Sequence, residues 1–168
     1  MQDYREIILR EAGKIDSLHK RIHETYLMRN SDHEGWSNAC KDFHEYVSEI
    51  DWYLDKIDSS RKIADLDMQE FAITFLELDP LFFRSGYIKA GLLKRLKRSD
   101  LGRGNRARLQ SIVIDAVKNR PRREFREYCR LARAIKTDDF VYTISLIASS
   151  ATGALKSRAK LALQTINS

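Results

Sequence analysis

Apolar residues recur at steps of three and four along the first third of the sequence, and this spacing restricts the fold to helices. One series lies within residues 4–29 and comprises Tyr4, Ile8, Ile15, Leu18, Ile22 and Tyr26, with Glu11 interrupting it. A second lies within residues 34–58 in unbroken four-three alternation and comprises Trp36, Cys40, Phe43, Val47, Ile50, Leu54 and Ile57. Such steps place side chains on one face of an α-helix. We therefore predict two long helices that pair as an antiparallel hairpin.

From Ser59 onward the periodic segments are shorter and are separated by breaks. The breaks and helix starts are marked by Asp79-Pro80, the run 101–105, Pro121 and Thr137. They predict six helices, near residues 60–77, 81–98, 105–119, 122–136, 138–149 and 153–167, the first capped by Ser59 or Ser60. Only 2 Pro and 7 Gly occur in the 168 residues, which favours helices over a many-stranded sheet. We predict a single all-α domain over residues 1–168, with a helical hairpin at 1–58 and three helical-hairpin repeats at 59–168.

The last predicted hairpin contains a recognisable run of residues. It reads Ser149-Ser150-Ala151-Thr152-Gly153-Ala154-Leu155-Lys156-Ser157-Arg158-Ala159, followed by Leu161. This run resembles the second helix of a HEAT or armadillo-like repeat, in which a short turn precedes an aliphatic–basic pair, a small residue and a leucine. The resemblance implies a short α-solenoid, and an irregular helical bundle is the alternative. HEAT-like folds include DNA glycosylases with a basic concave surface, but their catalytic Asp and Trp motifs match no position here.

Charge is divided unevenly along the chain. Residues 1–80 contain 10 basic and 18 acidic side chains, whereas residues 81–168 contain 20 basic and 6 acidic ones. Residues 84–136 alone hold 17 Lys and Arg against 4 Asp and Glu. Such asymmetry indicates an anionic partner. It is equally compatible with an acidic half that packs against the basic half, or with two copies that pair acidic to basic.

The segment 122–136 shows how the basic charge is arranged. On a helical wheel its apolar residues share one side, and an arginine stripe occupies the other. Glu124 and Glu127 are spaced to neutralise part of that stripe. The segment 81–98 has the same design, and a solenoid would place the two helices side by side. The candidate anion-binding residues are Arg84, Lys94, Arg98, Arg123, Arg126, Arg130 and Arg133.

We interpret this surface as the working face of a non-enzymatic binding protein with an acidic protein partner. A nucleic acid is the alternative partner, since guanidinium groups bind phosphate and carboxylate alike. A homo-oligomer is a third interpretation. The segment 79–87 mixes aromatic residues, a cation and a glycine. It either lines a pocket or forms a helix–helix corner around a buried Phe82, and we favour the corner.

No catalytic or cofactor-binding motif is present in the sequence. It contains no Gly-x-Ser-x-Gly, and Gly102-x-Gly104 lacks the Lys-Ser/Thr and the preceding strand of a phosphate-binding loop. His19 and His23 lie four residues apart, with His44 on the next helix, so these three are the candidates for a metal site between two helices. The chain lacks the Glu-x-x-His pairs of di-iron bundles. We therefore expect a binding protein without metal or cofactor rather than an enzyme.

The cysteines and the distribution of apolar residues indicate the compartment. Cys40 and Cys129 fall on apolar helix faces, which favours reduced core residues over a disulfide. The N-terminal residues contain no apolar stretch of signal-peptide length, and no run approaches the length of a membrane span. These features predict a cytoplasmic protein that does not enter a membrane.

Overall fold

The computed structural model describes residues 3–119 and 123–168. Over these residues the chain forms nine α-helices and no strand, which confirms the all-helical prediction. The helices are α1 (Tyr4–Tyr26), α2 (His33–Glu45), α3 (Glu49–Asp58), α4 (Leu66–Leu78), α5 (Ser85–Leu96), α6 (Arg103–Lys118), α7 (Phe125–Ala134), α8 (Asp138–Ser150) and α9 (Gly153–Asn167). Pro121 and Arg122, where the sequence predicts a helix start, lie outside the described residues.

The first two helices pack side by side in antiparallel directions. The rings of Tyr26 and Trp36 lie 6.0 Å apart near the turn. Further along, Nη1 of Arg21 donates a hydrogen bond to Asp42 at 2.7 Å. The contacts thus pair later residues of α2 with earlier residues of α1, which shows that the two helices run antiparallel. Only the first half of α1 reaches the core, where Tyr4, Ile7 and Ile8 are buried.

The prediction of a single helix over residues 34–58 is wrong. α2 ends at Glu45, and a separate helix begins at Glu49. Val47, which the four-three alternation places on the packing face, lies in the break and is 81% exposed. The apolar spacing continues without interruption between Glu45 and Glu49, so the sequence pattern does not indicate that the helix ends there.

Glu11 explains this break. Its buried carboxylate accepts hydrogen bonds from the hydroxyl of Tyr46, the hydroxyl of Ser48 and the backbone N–H of Glu49, at 2.7, 2.8 and 3.1 Å. Ser48 and Asp51 also form a capping box at the start of α3. A buried carboxylate needs such donors, and a backbone N–H is available to it only where the helix is interrupted.

The remaining helix ends differ from the predictions by a few residues, except at α4. That helix begins at Leu66 because the carboxylate of Asp65, rather than the hydroxyl of Ser59 or Ser60, accepts from its first N–H groups. The predicted cap at Thr137 is confirmed, since its hydroxyl accepts from the N–H of Phe140 at 3.3 Å.

α4 lies at the centre of the fold and contacts α1, α3, α5 and α6. Phe71 and Phe75 on this helix are fully buried. Beyond it, α5 contacts α7, α6 contacts α7 and α9, and α9 contacts α7 and α8. The buried apolar side chains form one cluster that extends from Tyr4 to Ile166. Both cysteines are free thiols; Cys129 belongs to this cluster.

An ion pair between a buried lysine and a partly exposed aspartate holds the corner between α4 and α5. The ammonium group of Lys89, 1% exposed, lies 2.5 Å from a carboxylate oxygen of Asp79. Asp79 and Arg84, at the two ends of the corner, have positive φ angles of 47° and 69°. Pro80 follows Asp79, so α4 cannot continue through it. The corner therefore has a fixed path, and it sets where α5 begins.

Candidate anion-binding face

α7 has a buried side and a cationic side, as its sequence predicts. The buried side consists of Phe125, Tyr128, Cys129, Leu131 and Ala132. Arg126, Arg130 and Arg133 are exposed on the other side, and Arg123 is exposed just before the helix begins. The arginine stripe therefore contributes charge to the surface rather than packing to the core.

α7 contacts both α5 and α9. We call these three helices the cationic layer. Each of them contains three Lys or Arg residues, and Glu127 is the one acidic residue among them. α4 and α8, in contrast, contain acidic residues and no Lys or Arg. α6, which contacts α7 and α9, adds four Lys or Arg and one Asp, so the positive charge of the second half is shared by α5, α6, α7 and α9.

Part of the positive charge is neutralised where the two halves of the chain meet. The pairs are Lys89 with Asp79 at 2.5 Å, Arg95 with Asp58 at 2.9 Å, and Arg108 with Glu70 and Glu77 at 2.5 and 2.7 Å. Hydrogen bonding by Arg108 holds the pKa of the Glu70 carboxyl below its usual value. None of these three basic residues belongs to the candidate set. The acidic half of the chain therefore neutralises Lys89, Arg95 and Arg108, which are not candidate anion-binding residues.

All seven candidate residues are exposed. Arg130 pairs with Glu127 on its own helix, and Nη1 of Arg133 lies 3.4 Å from the hydroxyl of Ser168. Within residues 3–119 and 123–168, no carboxylate pairs with the other five. An exposed pair such as Arg130–Glu127 contributes only about 0–1 kcal/mol, so the face keeps nearly all of its charge.

Glu124 does not neutralise the stripe, and on this point the sequence-based prediction is wrong. The residue is buried, with 5% of its surface exposed. Its Oε2 atom lies 3.1 Å from the position that a β-carbon on Gly86 would take. Because the carboxylate faces α5 instead of the stripe, Glu127 is the acidic side chain that remains beside the arginines.

A cation–π contact joins α5 to the arginine stripe. The guanidinium carbon of Arg123 lies 4.4 Å from the centroid of the Tyr87 ring. Such a contact contributes about 0.5–1 kcal/mol at an exposed site. Arg84 lies three residues before Tyr87, one turn away along the start of α5. Arg84, Tyr87 and Arg123 thus form one continuous part of the surface.

The segment 79–87 also forms one wall of a groove of about 580 Å³. Phe82 packs against the core, as the corner interpretation predicts, but Phe83 is 46% exposed. The opposite wall comes from α2 and α3 and includes Phe43. The sequence indicates the aromatic segment but gives no sign of its opposite wall. The groove is therefore a feature of the tertiary structure.

The candidate metal ligands lie in an aromatic cluster. His19 stacks on Phe83 with ring centroids 4.6 Å apart, and it meets His23 edge-on at 4.8 Å. His44 contacts Phe43 at 5.7 Å. Within the part of the chain that the structure describes, no group of three or more His, Cys, Asp or Glu is arranged to hold a metal ion.

A smaller cavity of about 280 Å³ is lined by residues of α4, α6 and α7. Its carboxylates include Glu77, which pairs with Arg108, and Asp79, which pairs with Lys89. Two of the three carboxylates are thus matched within the chain, and Asp115 is the third. We do not assign a ligand to this cavity.

No protein-family model, curated protein or solved structure matches this chain. None of the described helices is both long and apolar enough to cross a membrane. We therefore infer function from the charge and geometry of the exposed surface.

Proposed function

We propose that this chain is a non-enzymatic binding protein that holds an acidic protein surface against its cationic layer. The observation that carries the proposal is a set of exposed cations without a carboxylate partner among the described residues: Arg84, Lys94, Arg98, Arg123 and Arg126. Arg130 and Arg133 complete the face.

The mechanism is charge complementarity. Like charges concentrated on one surface raise the local potential and repel one another. Carboxylates of a partner relieve that repulsion, and a guanidinium group holds a carboxylate through two parallel hydrogen bonds. The same potential steers an acidic partner toward the layer before contact. Because salt screens exposed charges, the affinity must fall as the ionic strength rises.

We also propose that α4–α5, α6–α7 and α8–α9 form a short solenoid that presents the layer. In support, α4 contacts α6, while α5, α7 and α9 contact one another in order. Stacked hairpins produce this pairing of the second helices. Among the first helices, α4 packs on α6, whereas α6 packs on α9 rather than on α8. An experimental structure in which α7 separates from α5 or α9 would contradict this arrangement.

Fluorescence anisotropy with a labelled peptide of about 20 residues, rich in Glu and Asp, tests the binding function at about 50 and 200 mM salt. We expect binding at the lower salt and a loss of at least about tenfold in affinity at the higher. The variant Arg126→Glu/Arg130→Glu should abolish binding while its helicity and melting temperature stay close to those of the parent. Unfolding of this variant would instead show that the stripe is structural.

Arg103→Glu/Arg106→Glu is the matched control. Both residues are exposed at the start of α6, outside the cationic layer, and the change in net charge is the same. This variant should bind the peptide within about threefold of the parent, allowing for the general effect of net charge. Equal losses in both variants would show that overall charge, not this face, attracts the peptide.

Two alternative partners are outcomes of the same experiment. Tighter binding of a labelled single- or double-stranded nucleic acid, with a steep salt dependence, would make nucleic acid the partner. A mass that rises with protein concentration at low salt would point to self-association of acidic and basic halves. Either result would overturn the proposal of an acidic protein partner.

A further inference from the structure

The groove beside α5 combines aromatic walls with one unmatched positive charge. Phe83 and Tyr87, on the α5 side, are 46% and 56% exposed. Phe43 also lines the groove, and its ring contacts that of Phe83 with centroids 5.6 Å apart. Neighbouring exposed aromatic side chains of this kind are typical of sites that bury a partner's apolar group.

Charged residues of the groove are mostly engaged within the protein. Asp58 pairs with Arg95 at 2.9 Å. The Asp51 carboxylate accepts a hydrogen bond from the N–H of Ser48 at 3.1 Å. Arg84, at the start of α5, has no carboxylate partner among the described residues. An anionic group at the rim would therefore find this guanidinium free.

The backbone at Arg84 is strained. Its φ of 69° and ψ of 3° lie in the left-handed region, which disfavours residues other than glycine. Strain of this kind is retained where the surrounding structure imposes it, and it is frequent at functional sites. Here it is imposed at the rim of the groove, between Phe83 and the first turn of α5.

The groove is continuous with the cationic layer. Tyr87 lines the groove and carries the guanidinium group of Arg123 at 4.4 Å from its ring centroid. Arg84 lines the groove and Arg123 contacts the ring of Tyr87, so that a chain crossing from the groove to α7 would meet both cations.

We propose that the groove is an anchor site for one aromatic or large aliphatic side chain of the acidic protein partner, whose flanking carboxylates bind Arg84 and Arg123. The inference rests on the proposed function and specifies the partner: an acidic segment interrupted by a large apolar residue. The anchor residue packs against the exposed part of Phe83 and against Leu54 and Ile88, because the rings of Phe43 and Phe83 already contact each other at 5.6 Å.

A nucleic acid fits this groove less well. Stacking of a base needs an open ring face. One face of Tyr87 is covered by Arg123, and Phe83 is stacked on His19 with ring centroids 4.6 Å apart. An apolar side chain can pack against the edges of these rings and does not need an open ring face.

Two labelled peptides test the inference. Both are rich in Glu and Asp and have the same charge, but one has a central Phe and the other a central Ser. We expect the Phe peptide to bind about tenfold more tightly, which corresponds to burial of one aromatic side chain. The variant Phe83→Ala should remove this advantage and leave the affinity for the Ser peptide unchanged, because the candidate arginines remain in place.

Gly91→Phe provides a second variant that does not depend on removing an aromatic residue. Gly91 lines the groove, and a β-carbon there would meet Nη1 of Arg95 at 3.5 Å, an ordinary contact. The added ring should fill the groove and remove the advantage of the Phe peptide. Gly13→Phe, on exposed helix surface with nothing within 4 Å of its β-carbon position, is the matched control and should retain that advantage.

The outcomes separate the two proposals. Equal binding of both peptides would overturn the anchor site and leave the cationic face intact. Binding of neither peptide would overturn the proposed function, and the anchor site with it. Tight binding of single-stranded RNA that is lost in both Phe83→Ala and Gly91→Phe would show that the groove takes a base instead of a side chain.

Discussion

The Oε2 atom of Glu11 lies 2.8 Å from the hydroxyl oxygen of Ser48. This contact joins the middle of α1 to the first residue before α3, across 37 positions of sequence. Glu11 is only 6% exposed, so its carboxylate depends on donors from the protein. Arg10, Tyr46 and the N–H of Glu49 supply the others.

Replacement of Glu11 by Ala should lower the free energy of unfolding by about 1.5–3 kcal/mol, the range for hydrogen bonds to a charged group. The hydroxyl of Ser48 would remain buried without this acceptor. Urea denaturation measures the change. Glu24→Ala is the control on the same helix, because Glu24 is exposed and pairs with Lys20 only at 3.9 Å. Equal effects of the two substitutions would contradict the role assigned to Glu11.

Acid should weaken the fold through this same carboxyl group. Burial by itself would raise the pKa of Glu11, but hydrogen bonds from Tyr46, Ser48 and Arg10 hold it below the usual value of 4.5. A carboxyl with a lowered folded pKa stabilises the protein above its unfolded pKa, and that stabilisation is lost as the pH falls through the folded value.

The free energy of unfolding should therefore decrease as the pH falls below about 4.5. Denaturation curves at pH 7, 5, 4 and 3 measure this decrease. Glu11→Gln should start from a lower stability at pH 7 and lose less of it over the same interval. A parallel decline in the variant and the parent would show that other carboxyl groups govern acid unfolding.

The two cysteines should differ in reactivity. Burial raises the pKa of the Cys129 thiol to about 11, so about one thiol in a thousand is ionised there at pH 8. Cys40 is only half-buried. A chromogenic disulfide reagent should detect one rapidly reacting thiol in the folded protein and two after denaturation. Cys40→Ser should lose the rapid phase; its persistence in that variant would contradict the assignment.

Two glycine substitutions should shift stability in opposite directions. Gly13→Ala lies within α1 with open space around its β-carbon position, so it should raise the free energy of unfolding by about 0.5–1 kcal/mol. Gly153→Ala should lower it by about 1–2 kcal/mol because the φ of that residue is 58°, where a β-carbon is strained. Thermal unfolding compares the two. A shift in the same direction would contradict the backbone argument.

The division of α7 into an apolar and a cationic side could be predicted because it depends on local periodicity alone. Residues three and four positions apart lie on the same face of a helix. The apolar face of α7 therefore follows from the sequence, and in the folded protein it is the face that is buried. The same reasoning correctly placed Tyr4 and Ile8 in the core. It failed at Val47, where apolar spacing continues through a break in the helix.

The break could not be predicted because its cause lies on another helix. Glu11 interrupts an apolar stripe in the sequence, but nothing in that stripe shows which donors will reach it. Glu124 is a similar case. Its spacing suggests pairing with arginine, whereas packing of α7 against α5 turns the carboxylate inward beside Gly86.

The sequence by itself determined an all-helical chain, the excess of positive charge in its second half and the arginine stripe of α7. Only the tertiary structure decided which cations are neutralised and where the exposed ones meet aromatic residues. Contacts between Arg108 and Glu70, or between Arg123 and Tyr87, join helices that are distant in sequence. Periodicity shows which side of a helix faces solvent, but the neighbour that it meets there depends on how all the helices pack.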